Sequence, residues 1–416
     1  MRTLLITALG IRLGVFDAAQ AADLSELAGN YRLGSDHVIA IAEWEPERGA
    51  PHSLVFTDLK SGRIGVLSEK GTDEWALPGE LMSGGEAARI RFERGSDGVR
   101  ALTVQEVLGP VRRAARIADR HEEFTFFADS VALRGTLWLP PGAGPFPTIV
   151  LVPAGPLSRH GSAMYANFFL AQGYAVLAYD RRAGPAPFPR YAEDAVAAVD
   201  TLRRQRGIDR KRIGLWGSSQ GGWLALMAAA RSPDVAFVIS QAGMLVPAWR
   251  QELYRLESEA VADGIPTPVI EEALAFERRL FHVAESGTGW DSIAAALAIR
   301  PRPPWHDLVY QPSSLEQLQR VWKNDFSFDP RKHITGVRRP VLALFGGLDR
   351  STPIESAGIL TRAIGSLGRV EIEFFPTANH AFLDADTGGP DEIPRLSRFV
   401  PGFFDRMRDW LRARAR

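Results

Sequence analysis

Two rhythms of apolar and polar residues divide the chain. Between about Ala22 and Ile117 the apolar runs are short and closely spaced: Val38-Ile39-Ala40-Ile41-Ala42, Ser53-Leu54-Val55-Phe56, Arg63-Ile64-Gly65-Val66-Leu67 and Ala88-Arg89-Ile90-Arg91-Phe92. Gly and Asp clusters separate them, as in Lys60-Ser61-Gly62 and Gly95-Ser96-Asp97-Gly98. Strand-sized runs with turn chemistry between them predict a small antiparallel sheet or partial barrel, an accessory β domain over residues 22–117. Its polar residues form no catalytic pattern. A linker carrying Arg112, Arg113 and Arg116 is expected after it.

From Glu122 the period changes. Phe124 to Phe127 and Val131 to Leu139 read as two strands around a turn at Asp129. Continuous apolar strands at Thr148–Val152, Ala175–Tyr179, Ile213–Trp216 and Val235–Ser240 then alternate with helical stretches at Ala163–Gln172, Tyr191–Gln205 and Gly221–Ala230. Uninterrupted apolar strands separated by helices predict βαβ units in a mostly parallel sheet covered on both faces. The rhythm stops near Leu245, and a helical segment rich in Trp, Glu and Arg runs to about Gly336. It resumes with strands at Val341–Phe345 and Val370–Phe375 and a final helix bearing Arg406, Arg408, Arg412, Arg414 and Arg416. These arginines read as a solvated helix face with cations near its C-terminus rather than a nucleic-acid arm.

Composition narrows the function classes. In 416 residues, 45% are hydrophobic and 24% charged, as in ordinary globular proteins, and the length leaves room for two or three domains. Lys+Arg and Asp+Glu number 49 each, so no net field favours nucleic acid or an anionic membrane. The absence of Cys excludes disulfides, thiol nucleophiles and thiolate metal sites. No His-x-x-x-His or Glu-x-x-His spacing and no dinucleotide fingerprint is present, so neither metal nor cofactor is expected. Leu4 to Ile11 behind Arg2, followed by Ala19-Gln20-Ala21, resembles a secretory signal over residues 1–21, interrupted by Arg12 and Asp17. A periplasmic or secreted protein is the expectation, or a cytoplasmic one if that signal does not function; no stable membrane anchor is expected, since a membrane span needs about 18 apolar residues.

The candidate chemistry starts at Gly217-Ser218-Ser219-Gln220-Gly221, a G-x-S-x-G pattern. It follows the apolar strand Ile213–Trp216 and opens the helix from Gly222. That strand–turn–helix setting marks a nucleophile elbow, with Ser219, not Ser218, at its centre. From about Glu122 to its end the chain resembles the α/β-hydrolase family. It looks most like serine esterases and the hydrolase domains of the acylaminoacyl-peptidase and dienelactone-hydrolase type. The matching landmarks are Leu151-Val152-Pro153-Ala154-Gly155-Pro156, Tyr179-Asp180-Arg181-Arg182, Gly217 to Gly221, Gly346-Gly347-Leu348-Asp349 and Ala378-Asn379-His380.

The resemblance implies an α/β-hydrolase domain over 118–416, with a cap insert at about 245–336. It also implies a catalytic order of Ser, acid, His along the chain. Of eight histidines, His37, His52, His121 and His160 precede Ser219, and His282, His306 and His333 fall in the insert. His380, in the loop after Val370–Phe375, is the expected base. Asp349, the first carboxylate after Val341–Phe345, is the expected acid, with Glu355 in reserve. Asp325 and Asp329 are expected to cap or pair within the insert, and Asp180 to pair with Arg181 or Arg182. The Gln220 N–H is one expected oxyanion donor. Pro153 has no N–H, so Ala154 is the expected second donor, with Gly155 next. Arg159 is expected in solvent.

These positions predict a serine hydrolase cleaving small carboxylic esters through an acyl-enzyme. The alternatives are a peptidase or thioesterase of the same fold, and a catalytically inactive binding protein. Roughly 95 residues before the linker are too few for the propeller such peptidases generally carry. Trp249, Leu253, Phe281, Trp290, Trp305 and Trp322 are candidates either for lining an acyl pocket or for the cap's own core.

Overall fold

A computed structural model describes residues 24–45, 51–155, 158–365 and 369–414. The secretory-signal expectation and Arg416 lie outside the described residues. No helix among the described residues is long and apolar enough to cross a membrane.

The first nine strands are β1 (Gly29–Arg32), β2 (Val38–Trp44), β3 (Ser53–Asp58), β4 (Ile64–Val66), β5 (Ser68–Gly71), β6 (Glu74–Pro78), β7 (Glu86–Gly95), β8 (Gly98–Glu106) and β9 (Val111–Arg116). They form one antiparallel sheet in the order β4-β3-β2-β1-β9-β8-β7-β6-β5. Alternation sends Ile39, Ile41, Leu54, Phe56, Ile90 and Leu102 into the sheet's own core. The opposite face of β2 and β3 is also apolar: Ala42, Trp44 and Val55 join Ile64 and Leu81 in a second core.

The second sheet contains β10 (Arg120–Ala128), β11 (Val131–Leu139), β12 (Phe146–Leu151), β13 (Ala175–Tyr179), β14 (Ile208–Ser218), β15 (Val238–Gln241), β16 (Val341–Gly346) and β17 (Val370–Phe375). Its order is β10-β11-β13-β12-β14-β15-β16-β17. β10 and β11 pair antiparallel, β11 pairs antiparallel with β13, and every later pairing is parallel. Helices α2 (Phe188–Leu202), α3 (Gln220–Arg231) and α8 (Glu355–Ile364) cover one face. Helices α1 (Ala163–Ala171) and α9 (Phe403–Arg414) cover the other. On α9, Arg406 pairs with Glu371 and Glu373, and Arg414 pairs with Glu371.

The core between α1, α9 and the second sheet is the one that takes Trp44, Val55 and Ile64 from the first sheet. Fully burying such side chains contributes roughly 1.5–3 kcal/mol each. Buried amides reinforce the contact. Asn30 Nδ2 donates to the Asn167 carbonyl at 2.9 Å, and Asn167 Nδ2 donates to the Ile41 carbonyl at 3.0 Å. The two sheets therefore share a core.

The linker expectation is corrected by the same packing. Arg112, Arg113 and Arg116 lie in β9, which pairs with β8 and β1. Their guanidinium groups are engaged: Arg112 by Glu106, Arg113 by Glu93, and Arg116 by the carbonyls of Glu26 and Ala28. Between β9 and β10 stand only Ile117, Ala118 and Asp119, and the Ile117 N–H bonds the Asn30 carbonyl at 2.8 Å.

Between β15 and β16 the insert forms α4 (Ala248–Ala262), α5 (Thr267–Ser286), α6 (Trp290–Ala298) and α7 (Leu315–Val321). They bury a separate core around Leu256, Ile270, Phe276, Leu280 and Trp305.

Candidate active site

Ser219 stands between the end of β14 and the first residue of α3, with φ 53° and ψ −122°. A non-glycine residue at positive φ stores strain of order 1–3 kcal/mol and persists only when its surroundings enforce it. Here the Ser219 N–H is held by the Gln241 carbonyl at 2.8 Å. The turn also needs Gly217, because a Cβ there would sit 2.2 Å from the Gly221 carbonyl oxygen. Ser219 is buried, and the N-terminus of α3 places a positive dipole end beside it.

Asp349 and His380 come together from two neighbouring strand ends. His380 Nδ1 lies 2.9 and 3.0 Å from the two carboxylate oxygens of Asp349. Asp349 Oδ1 also accepts the N–H groups of Ser351 at 2.8 Å and Thr352 at 2.7 Å, which fixes the carboxylate. The turn carrying Asp349 packs backbone-to-backbone on the histidine loop. The Leu348 N–H bonds the Ala378 carbonyl at 3.0 Å, and a Cβ on Gly347 would lie 2.2 Å from the Pro376 carbonyl oxygen. On the far side, Asn379 Oδ1 accepts the N–H groups of Ala381 and Leu383, both at 3.0 Å. The cap steadies the acid: Tyr254 Oη donates to the Asp349 carbonyl at 2.9 Å.

Burial alone would lower the His380 pKa. The charge of Asp349 and its hydrogen bond, with Glu259 adding, outweigh burial and hold it above the ordinary histidine value. His380 Nε2 is buried and has no hydrogen-bond partner among the described residues, so it is not bonded to Ser219 Oγ in this structure. The reserve acid Glu355 sits at the start of α8, paired with Arg250 at 3.0 Å.

The loop after β12 is held in a way the sequence did not announce. Gly155 N–H donates to Gln220 Oε1 at 3.0 Å, so this reserve oxyanion donor is occupied. Arg181 Nη1 donates to the Gly155 carbonyl at 2.9 Å and also to Gln220 Oε1. Its guanidinium stacks 3.4 Å from the centre of the Tyr191 ring. Ala154 is buried, and its N–H makes no hydrogen bond among the described residues. The pairing expected around Asp180 is corrected. Asp194, not Asp180, takes Arg182, while Asp180 accepts the Arg159 N–H at 3.0 Å. The Arg159 side chain is half-buried and pairs with Glu123 at 3.0 Å, rather than standing free in solvent. Asp329 pairs with Arg331 within the insert.

The cap aromatics divide between two fates. Trp305 belongs to the cap's core, with Leu253, Trp290 and Trp322 packed against it, and Phe281 packs on Trp322 and Phe326. Trp249 is exposed. None of them lines the cavity beside the elbow, whose walls include Ile64, Ala154, Met164, Trp216, Ser218 and Phe399.

The sequence profile described as "Alpha/beta hydrolase family" matches residues 149–391, more than half of the chain. The chain belongs to the alpha/beta hydrolase family. The match runs from β12 through the elbow, the cap and the His380 loop. Among relatives, the uncharacterized peptidase YuxL of Bacillus subtilis (strain 168) is 22% identical over 296 residues, 67% of this chain and 37% of that protein. The 2,6-dihydropseudooxynicotine hydrolase of Paenarthrobacter nicotinovorans is 30% identical over 135 residues, 30% of this chain and 35% of that one. The aligned region thus spans about a third of the length of these two curated relatives (37% and 35%). A solved hyperthermophilic esterase from the archaeon Pyrobaculum calidifontis superimposes with a TM-score of 0.45 at 16% identity, covering 71% of this chain and 86% of that one.

Proposed function

We propose that this hydrolase cleaves small carboxylic esters through a covalent acyl-enzyme on Ser219. The observation that carries the reading is the His380 Nδ1–Asp349 pair, at 2.9 and 3.0 Å, in the same fold as a serine strained onto an elbow. Asp349 fixes the tautomer that leaves His380 Nε2 as the base and stabilises the imidazolium once it forms. Nε2 takes the Ser219 Oγ proton as Oγ attacks the ester carbonyl carbon. The resulting oxyanion is met by the N–H groups of Gln220 and Ala154 and by the N-terminus of α3. Collapse breaks the bond to the alkoxy oxygen, which leaves as the alcohol with the proton from His380. Water then attacks the acyl-Ser219 carbonyl as His380 takes its proton, and His380 returns that proton to Ser219 Oγ as the acyl–Oγ bond breaks, releasing the carboxylic acid and free Ser219. No step calls for a metal or cofactor.

A peptidase reading draws on the likeness to the uncharacterized peptidase over 67% of this chain. The two differ in the leaving group. An amine must be protonated as it departs, whereas an alkoxide needs less acid help. Side-by-side kcat/KM values on a short p-nitrophenyl ester and the matched aminoacyl-nitroanilide decide between them. The ester reading expects the anilide to be at least ~10²-fold slower, about one general-acid contribution. Comparable values favour the peptidase. Export directed by residues 1–21 is part of the same proposal, checked by cell fractionation and the mass of the mature N-terminus.

A further inference from the structure

We propose that the cavity between the first sheet and the Ser219 elbow receives a short apolar group of the ester, and that Ile64 of β4 sets how long that group can be. This rests on the ester-hydrolase reading above. The cavity has a volume of about 30 Å3. About 10–15 Å3 on this measure holds one water, so the space fits roughly two or three chain atoms. Its walls include Ser218, the residue before Ser219, Ala381, the residue after His380, and Ala154, whose N–H is the proposed oxyanion donor. Met164, Trp216 and Phe399 make the remaining surface largely apolar, and Ile64 closes it from the first sheet.

Ile64 is not a loosely placed neighbour. It is 2% exposed, and its N–H donates to the Ser397 carbonyl at 2.9 Å. The adjoining Phe399 N–H donates to the Gly62 carbonyl at 2.8 Å. Residues 397–400 are in turn bridged to the histidine loop: the Val400 N–H bonds the Phe382 carbonyl, and the Asp384 N–H bonds the Arg398 carbonyl, both at 2.9 Å. One wall of the cavity therefore belongs to the first sheet and is fastened to the segment that carries His380. A wall held this way cannot retreat from a longer chain, so length discrimination follows from packing rather than from any polar contact. In an apolar pocket one methylene is worth about 10–200-fold in specificity.

The shared chemistry is a short alkyl group, which an ester carries on either its acyl or its alcohol side. Two series of p-nitrophenyl phosphonates separate these sources, because the alkyl group on phosphorus occupies the acyl position and the alkoxy group the alcohol position. One series lengthens the P-alkyl chain from methyl to hexyl at constant ethoxy. The other lengthens the alkoxy chain at constant P-methyl. The readout is the second-order rate of Ser219 modification by intact-protein mass, in the wild type, Ile64→Val, Ile64→Ala and Ile64→Phe.

The expected result is a fall of at least ~10-fold along one series in the wild type. The fall should shrink in Ile64→Val, shrink further in Ile64→Ala, and steepen in Ile64→Phe. Opposite shifts from smaller and larger side chains are not produced by general destabilisation, and Ile64→Val is mild enough to keep the fold. Slopes that ignore the size of residue 64 in both series, with Ser219 still modified, overturn the inference and leave the hydrolase reading standing. Failure of every phosphonate to modify Ser219 overturns both.

Discussion

The side-chain oxygen of Gln220 accepts the Gly155 N–H at 3.0 Å, so the residue after Ser219 grips the loop that follows β12. In the proposed mechanism the Gln220 N–H and the Ala154 N–H receive the oxyanion. The same side chain therefore sets the spacing of the two donors, and Arg181 clamps it by bonding both Gln220 Oε1 and the Gly155 carbonyl. In this chain Pro153 removes one N–H, and the loop's position rests on the clamp.

Arg181→Ala and Gln220→Ala should each lower kcat by about 10–10²-fold with a much smaller change in KM, the scale of a misplacement near 1 Å. Both variants keep every backbone donor. Steady-state kinetics on one ester checks this, and unchanged kcat in both would show that the loop holds itself.

The pH dependence follows from the His380–Asp349 pair. The Asp349 charge outweighs burial and raises the His380 pKa, and the base must be neutral to act. The acid limb of kcat/KM should therefore lie above the ordinary histidine value of about 6.5. Asp349→Asn should remove the upward shift and cut kcat by about 10⁴-fold. The sign for stability is the reverse of that for activity. A raised histidine pKa stabilises the fold fully below the unfolded pKa, and this is lost as pH rises through the folded value.

Glu277 gives the cap its own pH signature. Burial, with the Glu252 charge adding, pushes its carboxyl up to about 8. Oε1 accepts the Tyr310 N–H at 2.8 Å, while Oε2 has no partner among the described residues. The folded state keeps a proton that the unfolded state releases near 4.5, so stability falls as pH rises from there through about 8. Glu277→Gln should flatten that decline, measured as Tm from pH 5 to 9. Equal slopes for variant and wild type would contradict it.

Trp44→Ala tests whether the two sheets share a core. The indole is buried against the second sheet's helices, and its loss should cost about 3–5 kcal/mol. A single cooperative unfolding transition shifted downward is expected. Two separate transitions, with the one that protects Ser219 unmoved, would mean that the sheets fold independently.

Much of this was legible in the sequence, and the exceptions are physical. Continuous apolar strands announced the second sheet, because burial on both faces suppresses alternation. The run Val38 to Ala42 carried the same message about β2, yet short antiparallel strands with polar turns read as a self-contained domain. Arg112, Arg113 and Arg116 looked like a linker because Ala114 is the one buried residue of their strand, so no apolar alternation marks it. Asp349 and His380 were placed by their positions after strands. The roles of Arg181 and the Gln220 side chain were not legible, because they depend on contacts between β13, the loop after β12 and the elbow that no local spacing encodes. Trp305 and its neighbours could not be assigned to core or pocket until the cap's helices were in place.

Covalent labelling decides whether Ser219 is the nucleophile. The protein is treated with a fluorophosphonate, digested and mapped by mass spectrometry, alongside Ser219→Ala and Ser218→Ala. Stoichiometric labelling is expected at Ser219, retained in Ser218→Ala, and absent in Ser219→Ala together with a ~10³–10⁶-fold loss of kcat. Labelling at Ser218, or full esterase activity in Ser219→Ala, would contradict it.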